Sequence, residues 1–316
     1  MERTYGIDGF TRRRFLCALA ALAGYYGGPA AGASEDRSNG RYQIYVDDVV
    51  PRQGVDTRVA FGDAIHRLVA AGVIVPDKYR AVIGAKARLP DWVEHLFVGP
   101  SSSPIVFSAE NAPYLLHLLW PLGLATRARF NEHSPMRTVR LPSFASTGGW
   151  TLGQASNGYV YFDRIDTMRL TPAQEAIALE VATNTYRPCC DNSTFYQDCN
   201  HGSALLGMIE LAASQGASAD LVFRIARVAN SYWFTSQYAM TSMVFTHLRQ
   251  QAWHTVSPRL VLGQDYSSLS GWQRNVADVL ERKKVSGPLP QQASASCGMP
   301  GDNAARLAAP HIVRRE

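Results

Sequence analysis

The sequence lacks the short motifs that identify the commonest enzyme classes. It contains no HExxH, CxxCH or GxSxG motif and no EF-hand loop, which removes the usual signatures of zinc peptidases, c-type haem proteins, α/β-hydrolases and calcium-binding hands. A phosphate loop ending in Gly-Lys-Ser/Thr and a GxGxxG motif after a predicted strand are missing too. Internal repeats and heptad runs are also missing. Function therefore has to be inferred from the chemistry of individual residues.

Long hydrophobic runs are also lacking. A membrane-spanning helix needs about 20 apolar residues, whereas the weakly apolar stretch from Phe15 to about Tyr26 is shorter and contains glycines. Thr11-Arg12-Arg13-Arg14-Phe15-Leu16 opens this stretch, and the small-x-small site Ala31-Gly32-Ala33 follows it. Together these features resemble a twin-arginine export signal, and the resemblance covers residues 1–33 only.

The resemblance implies export through the twin-arginine (Tat) machinery, which is the one partner that it identifies. The processed chain would begin near Ser34 and reside in the periplasm or outside the cell. Substrates of this pathway are typically folded before export, often because a cofactor is loaded in the cytoplasm. The resemblance thus favours a metal or organic cofactor without identifying one.

The excess of basic residues is small once residues 1–33 are set aside. The whole chain has 31 Lys and Arg against 26 Asp and Glu. Removing the four arginines and two acidic residues of the signal leaves 27 basic and 24 acidic side chains, a net charge of +3. A nearly balanced chain gives no reason to expect nucleic-acid binding, and no second apolar segment predicts a transmembrane span after the signal.

The spacing of hydrophobic residues predicts one mainly α-helical domain over residues 34–284, with irregular loops and a few short strands. Residues 285–316, rich in Ser, Ala, Gly and Pro, are predicted to form a flexible tail that contains Cys297. Short strands are predicted at Tyr42–Val46 and Tyr159–Phe162. Helices are predicted from Thr57 to Gly72, after Pro76, after Pro90, from Tyr114 until Pro121 and Gly123 end it, and over about 171–186, 200–214, 218–251 and 269–284.

A dense cluster of soft ligands stands out within that domain. Residues 189–201 place three of the five cysteines and one histidine within thirteen positions. Thiolate and imidazole together suit zinc, copper or iron. The candidate metal ligands are Cys189, Cys190, Cys199 and His201. Cys297 is a further candidate, because a thiol left alone in a tail outside the cytoplasm would be oxidised.

The local pattern says how the cluster could converge. Pro188 ends the preceding helix, so the two adjacent cysteines lie on an irregular segment. Cys199 and His201 approach one centre only if Cys199 is extended and a helix starts at Asn200 or His201, with Asp198 or Asn200 as its cap. The positive N-terminal end of that helix would favour the thiolate form of Cys199.

Two alternatives to a metal remain open from the sequence. The four cysteines left after signal removal allow three disulfide connectivities, for instance Cys190–Cys199 or Cys189–Cys199 with the remaining thiol joined to Cys297. Cys199 could instead be a nucleophile or redox centre with His201 as its base, although Asp198 beside it would oppose the thiolate.

The sequence therefore predicts an exported metal- or cofactor-binding protein with a Cys/His site at residues 189–201. It is a candidate redox metalloenzyme that uses copper, iron or zinc, since three protein ligands would leave a coordination position open. The alternative is a non-enzymatic exported binding or structural protein stabilised by disulfides.

Overall fold

The protein folds mainly into α-helices, as the hydrophobic spacing predicts. The computed structural model describes residues 42–84 and 88–285. The signal, residues 1–33, and the tail after Val285 lie outside the described residues. Within them the α-helices are α1 at 42–49, α2 Ala64–Ala70, α3 Pro76–Ile83, α4 Asp91–Val98, α5 Ala112–Ala125, α6 Ala145–Gly148, α7 Pro172–Asn184, α8 Asn200–Ser214, α9 Ala219–Trp233, α10 Thr235–Met243, α11 Pro258–Leu262, α12 Gln264–Ser267, α13 Leu269–Trp272 and α14 Asp278–Arg282.

A two-stranded antiparallel sheet is the only sheet among the described residues. Its strands are β1 Val55–Gly62 and β2 Ser101–Phe107. The prediction of a helix from Thr57 is therefore wrong over β1 and holds only from Ala64. In β1 the buried residues Thr57, Val59 and Phe61 alternate with more exposed ones, which is the period of a strand.

Two predicted strands are wrong. Residues 42–49 form a helix, because Tyr42, Tyr45, Val46 and Val49 recur at three- and four-residue steps and pack against the core. The run Tyr159–Phe162 contributes to a 3-10 turn, Gly158–Tyr161, whose first turn is capped by the Asn157 side chain. Both runs are rich in tyrosine, which favours strands in isolation but yields to tertiary packing.

The centre of the fold is the contact between α5 and α8. A Cβ atom added at Gly123 would lie 1.9 Å from the backbone oxygen of Ser203, and one at Gly207 would lie 2.6 Å from that of Leu119. The two backbones thus touch where both helices have glycine. The prediction that Pro121 and Gly123 end α5 is wrong. The helix continues to Ala125 because this whole turn is buried, and packing outweighs propensity.

The remaining helices cover this pair. Thr171 and Gln174 form a reciprocal capping box at the start of α7, and the hydroxyl of Ser218 caps α9, so both helices begin where the hydrophobic spacing predicts. The single helix expected over 218–251 is divided at Phe234 and ends in a π-turn, Val244–Leu248. None of the helices in the described ranges is long and apolar enough to cross a membrane.

Candidate metal centre

The candidate site lies on the segment that connects α7 to α8. This segment folds back on itself, since the backbone N–H of Thr194 donates to the oxygen of Thr185 at 2.8 Å. It is also fastened to the C-terminal helices, because the N–H of Leu269 donates to the oxygen of Cys190 at 2.9 Å. The cysteines are thus held on an irregular but hydrogen-bonded loop.

Three predicted ligands come together on this loop. The Sγ atoms of Cys189, Cys190 and Cys199 all lie within 4.8 Å of one another, a group that can hold a metal ion. The sulfurs of Cys189 and Cys199 are 3.7 Å apart, and no disulfide bond joins the three. Zn–S bonds of about 2.3 Å at tetrahedral angles would separate two sulfurs by about 3.8 Å. The observed separation therefore suits a shared ion better than an S–S bond of about 2.05 Å.

Cys199 itself caps α8. Its backbone is extended, with φ −123° and ψ 163°, and its Sγ accepts the N–H of Gly202 at 3.3 Å. The helix begins at Asn200, the arrangement that convergence required. The cap, however, is the cysteine and not Asp198 or Asn200 as expected. The sulfur consequently sits at the positive end of the helix dipole, where negative charge is favoured.

A fully buried arginine organises the loop, and nothing in the sequence points to it. The guanidinium of Arg187 donates to Cys199 Sγ at 3.1 Å and to Asp198 Oδ1 at 2.7 Å. It also donates to the backbone oxygens of Asn192 and Tyr196, both at 3.0 Å. Burial alone would lower the pKa of Arg187, but the negative charge of the neighbouring thiolates holds it above its usual value. The arginine therefore remains charged and favours the thiolate of Cys199.

The pKa values of Cys190 and Asp198 are both raised, which opposes the simultaneous ionisation of all the acidic groups at the site. The contact with Cys189 acts to lower the pKa of Cys190, but the contact with Cys199 and burial outweigh it and raise that pKa to about 12. Burial, and then the charge of Cys199, raise the pKa of Asp198 against the opposing effect of Arg187. Three thiolates are thus not stable together without a cation, so metal binding would release protons.

His201 is close in sequence but is not one of the grouped ligands. Its ring packs against Phe234, with the centroids 4.7 Å apart, and against Trp233 at 6.1 Å. Its Nδ1 has no hydrogen-bond partner among the described residues. Burial lowers the pKa of His201 to about 4, so the imidazole is neutral. Within the described ranges the ligand atoms that lie within 4.8 Å of one another are the three sulfurs alone. Cys297 lies outside the described residues and stays a prediction.

A separate cavity of about 460 Å³ lies between the two-stranded sheet and the helices α4 and α5. Its walls include the apolar side chains of Trp92, Leu96 and Val106, and Asp91 also lines it. None of the predicted ligands lines it, so it is distinct from the cysteine cluster.

Fold and site together define a mainly α-helical protein with a partly buried cluster of three cysteines beside a buried arginine. Comparison with protein-family models, with curated proteins and with solved structures found no match to this chain.

Proposed function

We propose that this chain is an exported transition-metal-binding protein whose ion, copper, iron or zinc, is held by Cys189, Cys190 and Cys199. The observation that carries the proposal is the approach of three sulfur atoms to within 4.8 Å of one another, with no disulfide bond between any two of them. Thiols collected by chance in a core would not require this convergence, and thiolate is a strong ligand for all three metals.

The support around the cluster favours the same function. The Arg187 guanidinium and the Gly202 N–H both donate to Cys199 Sγ, and they are contacts to a ligand atom that orient it and stabilise its charge. A purely structural thiol would need neither a buried cation nor a helix terminus.

The support for export is the twin-arginine pattern of residues 1–33, which predicts that the protein crosses the membrane already folded. The three thiols would then be loaded in the reducing cytoplasm, before they meet an oxidising compartment. Three protein ligands leave a coordination position open, which a redox enzyme would use for its substrate.

The test is elemental analysis of protein purified from its native compartment in non-chelating buffer. About one equivalent of a transition metal is expected, since structural thiolate sites bind tightly. Cys199→Ser is the informative variant, because serine preserves the helix cap while removing the thiolate. The exposed His247 on the π-turn provides a matched control, His247→Gln, which should retain its metal.

Metal content below about a tenth of an equivalent in the native protein would contradict the proposal. Non-reducing peptide mapping distinguishes the alternative of a disulfide-stabilised binding or structural protein, which predicts that all four cysteines are cross-linked and that no ion is bound. Retention of the metal by Cys199→Ser and its loss from His247→Gln would place the ion elsewhere.

A further inference from the structure

The donor atoms around the site are unusually uniform. Among the described residues the group within 4.8 Å contains sulfur only. Asp198 is the neighbouring carboxylate, and both of its oxygens are engaged at 2.7 Å, Oδ1 by Arg187 and Oδ2 by Asn192. The oxygen ligand that a harder ion would recruit is thereby already committed.

The neighbouring imidazole is likewise outside the donor group. His201 lies in the first turn of α8, two residues after Cys199, and its ring centroid is 4.7 Å from that of Phe234. Zinc sites in proteins are almost always four-coordinate and tetrahedral, and they commonly add imidazole or carboxylate to thiolate. A site that supplies three sulfurs and withholds both of these donors suits an ion satisfied by three soft ligands.

The charge around the cluster points the same way. The Arg187 side chain is completely buried, and its Nε lies 3.1 Å from Cys199 Sγ. A fixed positive charge so close to a ligand atom repels a bound cation in proportion to the charge of that cation. A monovalent ion is therefore penalised half as much as a divalent one. The same guanidinium, with the N-terminus of α8, offsets the excess negative charge that three thiolates leave around a monovalent ion.

We propose that the cysteine cluster binds copper(I) through three sulfur atoms, an inference that rests on the proposed metal-binding function and specifies its ligand. Copper(I) is the soft monovalent ion that thiolate selects. The chemistry at the site is ligand exchange: copper(I) arrives from a donor thiol, and the cysteine protons pass to solvent or to that donor. No oxidation of copper or sulfur is involved.

The experiment uses the full chain, reduced and freed of metal, in an anaerobic competition between copper(I) and Zn²⁺. X-ray absorption on the copper(I)-loaded protein should show three sulfur scatterers at about 2.3 Å and no nitrogen or oxygen. Cys199→Ser should weaken copper(I) binding by more than about 100-fold, beyond the 10–100-fold typical of residues that only support a ligand. His201→Gln is the matched control and should change the affinity by less than about tenfold.

The spectrum of the native protein decides the outcome even where a variant fails to fold. Four-coordinate Zn²⁺ with a nitrogen or oxygen ligand that copper(I) does not displace would overturn this inference and leave the metal-binding function standing. Failure of both ions to bind to the reduced protein would overturn this inference and the proposed function together.

Discussion

The two ends of α8 treat buried polar groups in opposite ways. At its N-terminus, Cys199 accepts two hydrogen bonds, from Arg187 and Gly202. Further along the same helix, Glu210 is fully buried, and neither of its carboxylate oxygens has a hydrogen-bond partner among the described residues. Hydrogen-bond donors at the N-terminus would stabilise a negative charge on Cys199, whereas no described donor would stabilise a negative charge on Glu210.

This difference distinguishes the candidate metal site at Cys199 from Glu210, whose burial destabilises the fold. Burial, and then the charges of Asp163 and Glu175, raise the pKa of Glu210 well above its usual value. The acid therefore stays protonated in the core. A buried polar group without a partner costs about 1–3 kcal/mol, whereas Arg187 and Asp198 satisfy each other and orient a potential ligand. Burial of an ionisable group indicates function here only where its partners are also present.

Of the substitutions that test this comparison, replacement of Arg187 should change the free energy of unfolding most. Arg187→Met leaves the buried Cys199 and the partly buried Asp198 without their cation, and we expect a loss of about 3–5 kcal/mol in the free energy of unfolding. The control is Arg259→Met, which removes an ion pair with Glu180 in which both side chains are 45% exposed. This substitution should lower the free energy of unfolding by less than about 1 kcal/mol. Urea denaturation measures both. Equal losses would mean that Arg187 does not organise the loop.

Glu210 should make the protein less stable as the pH rises. The unfolded carboxyl loses its proton near pH 4.5 while the folded one retains it, so the folded state binds more protons above that pH. Stability should then fall with a slope approaching about 1.4 kcal/mol per pH unit. Glu210→Gln should remove this slope and stabilise the protein at pH 7, whereas the exposed control Glu281→Gln should not. A Glu210→Gln protein that is less stable than the native chain at pH 8 would contradict the prediction.

The opposite pH dependence is expected at the N-terminal end. Burial lowers the pKa of His201 from 6.5 to about 4, so the unfolded state binds the extra proton between these values. This contribution is fully present above pH 6.5 and is lost as the pH falls to about 4, by about 3 kcal/mol. Denaturation in the Glu210→Gln background removes the slope from Glu210, and comparison with and without His201 in that background isolates the contribution of the histidine. There, His201→Gln should flatten the acid limb, and the exposed His95→Gln should leave it unchanged.

The helix boundaries that could be predicted are those encoded locally. Thr171 and Ser218 are good cap residues directly before an apolar pattern, and both helices begin after them. The failures at β1 and at residues 42–46 arise because short runs of apolar residues satisfy both periods. Whether such a run forms a helix or a strand depends on the surface against which it packs, and distant parts of the chain form that surface.

Only part of the candidate site can be predicted from the sequence, for a related reason. The density of thiols marks the loop, but the role of Arg187 follows from backbone oxygens of Asn192 and Tyr196 that reach it only after the loop folds back. A fully buried arginine also runs against the usual composition of cores. Proximity along the chain groups His201 with the thiols, yet at the start of a helix a step of two residues turns the side chain in a very different direction.

The smallest effect tests how rigidly Arg187 is held. A Cβ atom at Gly202 would lie 2.5 Å from the guanidinium carbon, so Gly202→Ala must displace Arg187 and should cost about 1–3 kcal/mol, despite the better helix propensity of alanine. Gly99→Ala is the control, since a Cβ there meets nothing within 4 Å. In the Arg187→Met background the cost of Gly202→Ala should shrink or reverse, because the obstructing group is gone and only propensity remains. An unchanged cost in that background would place the strain in the α8 backbone and leave Arg187 free to move.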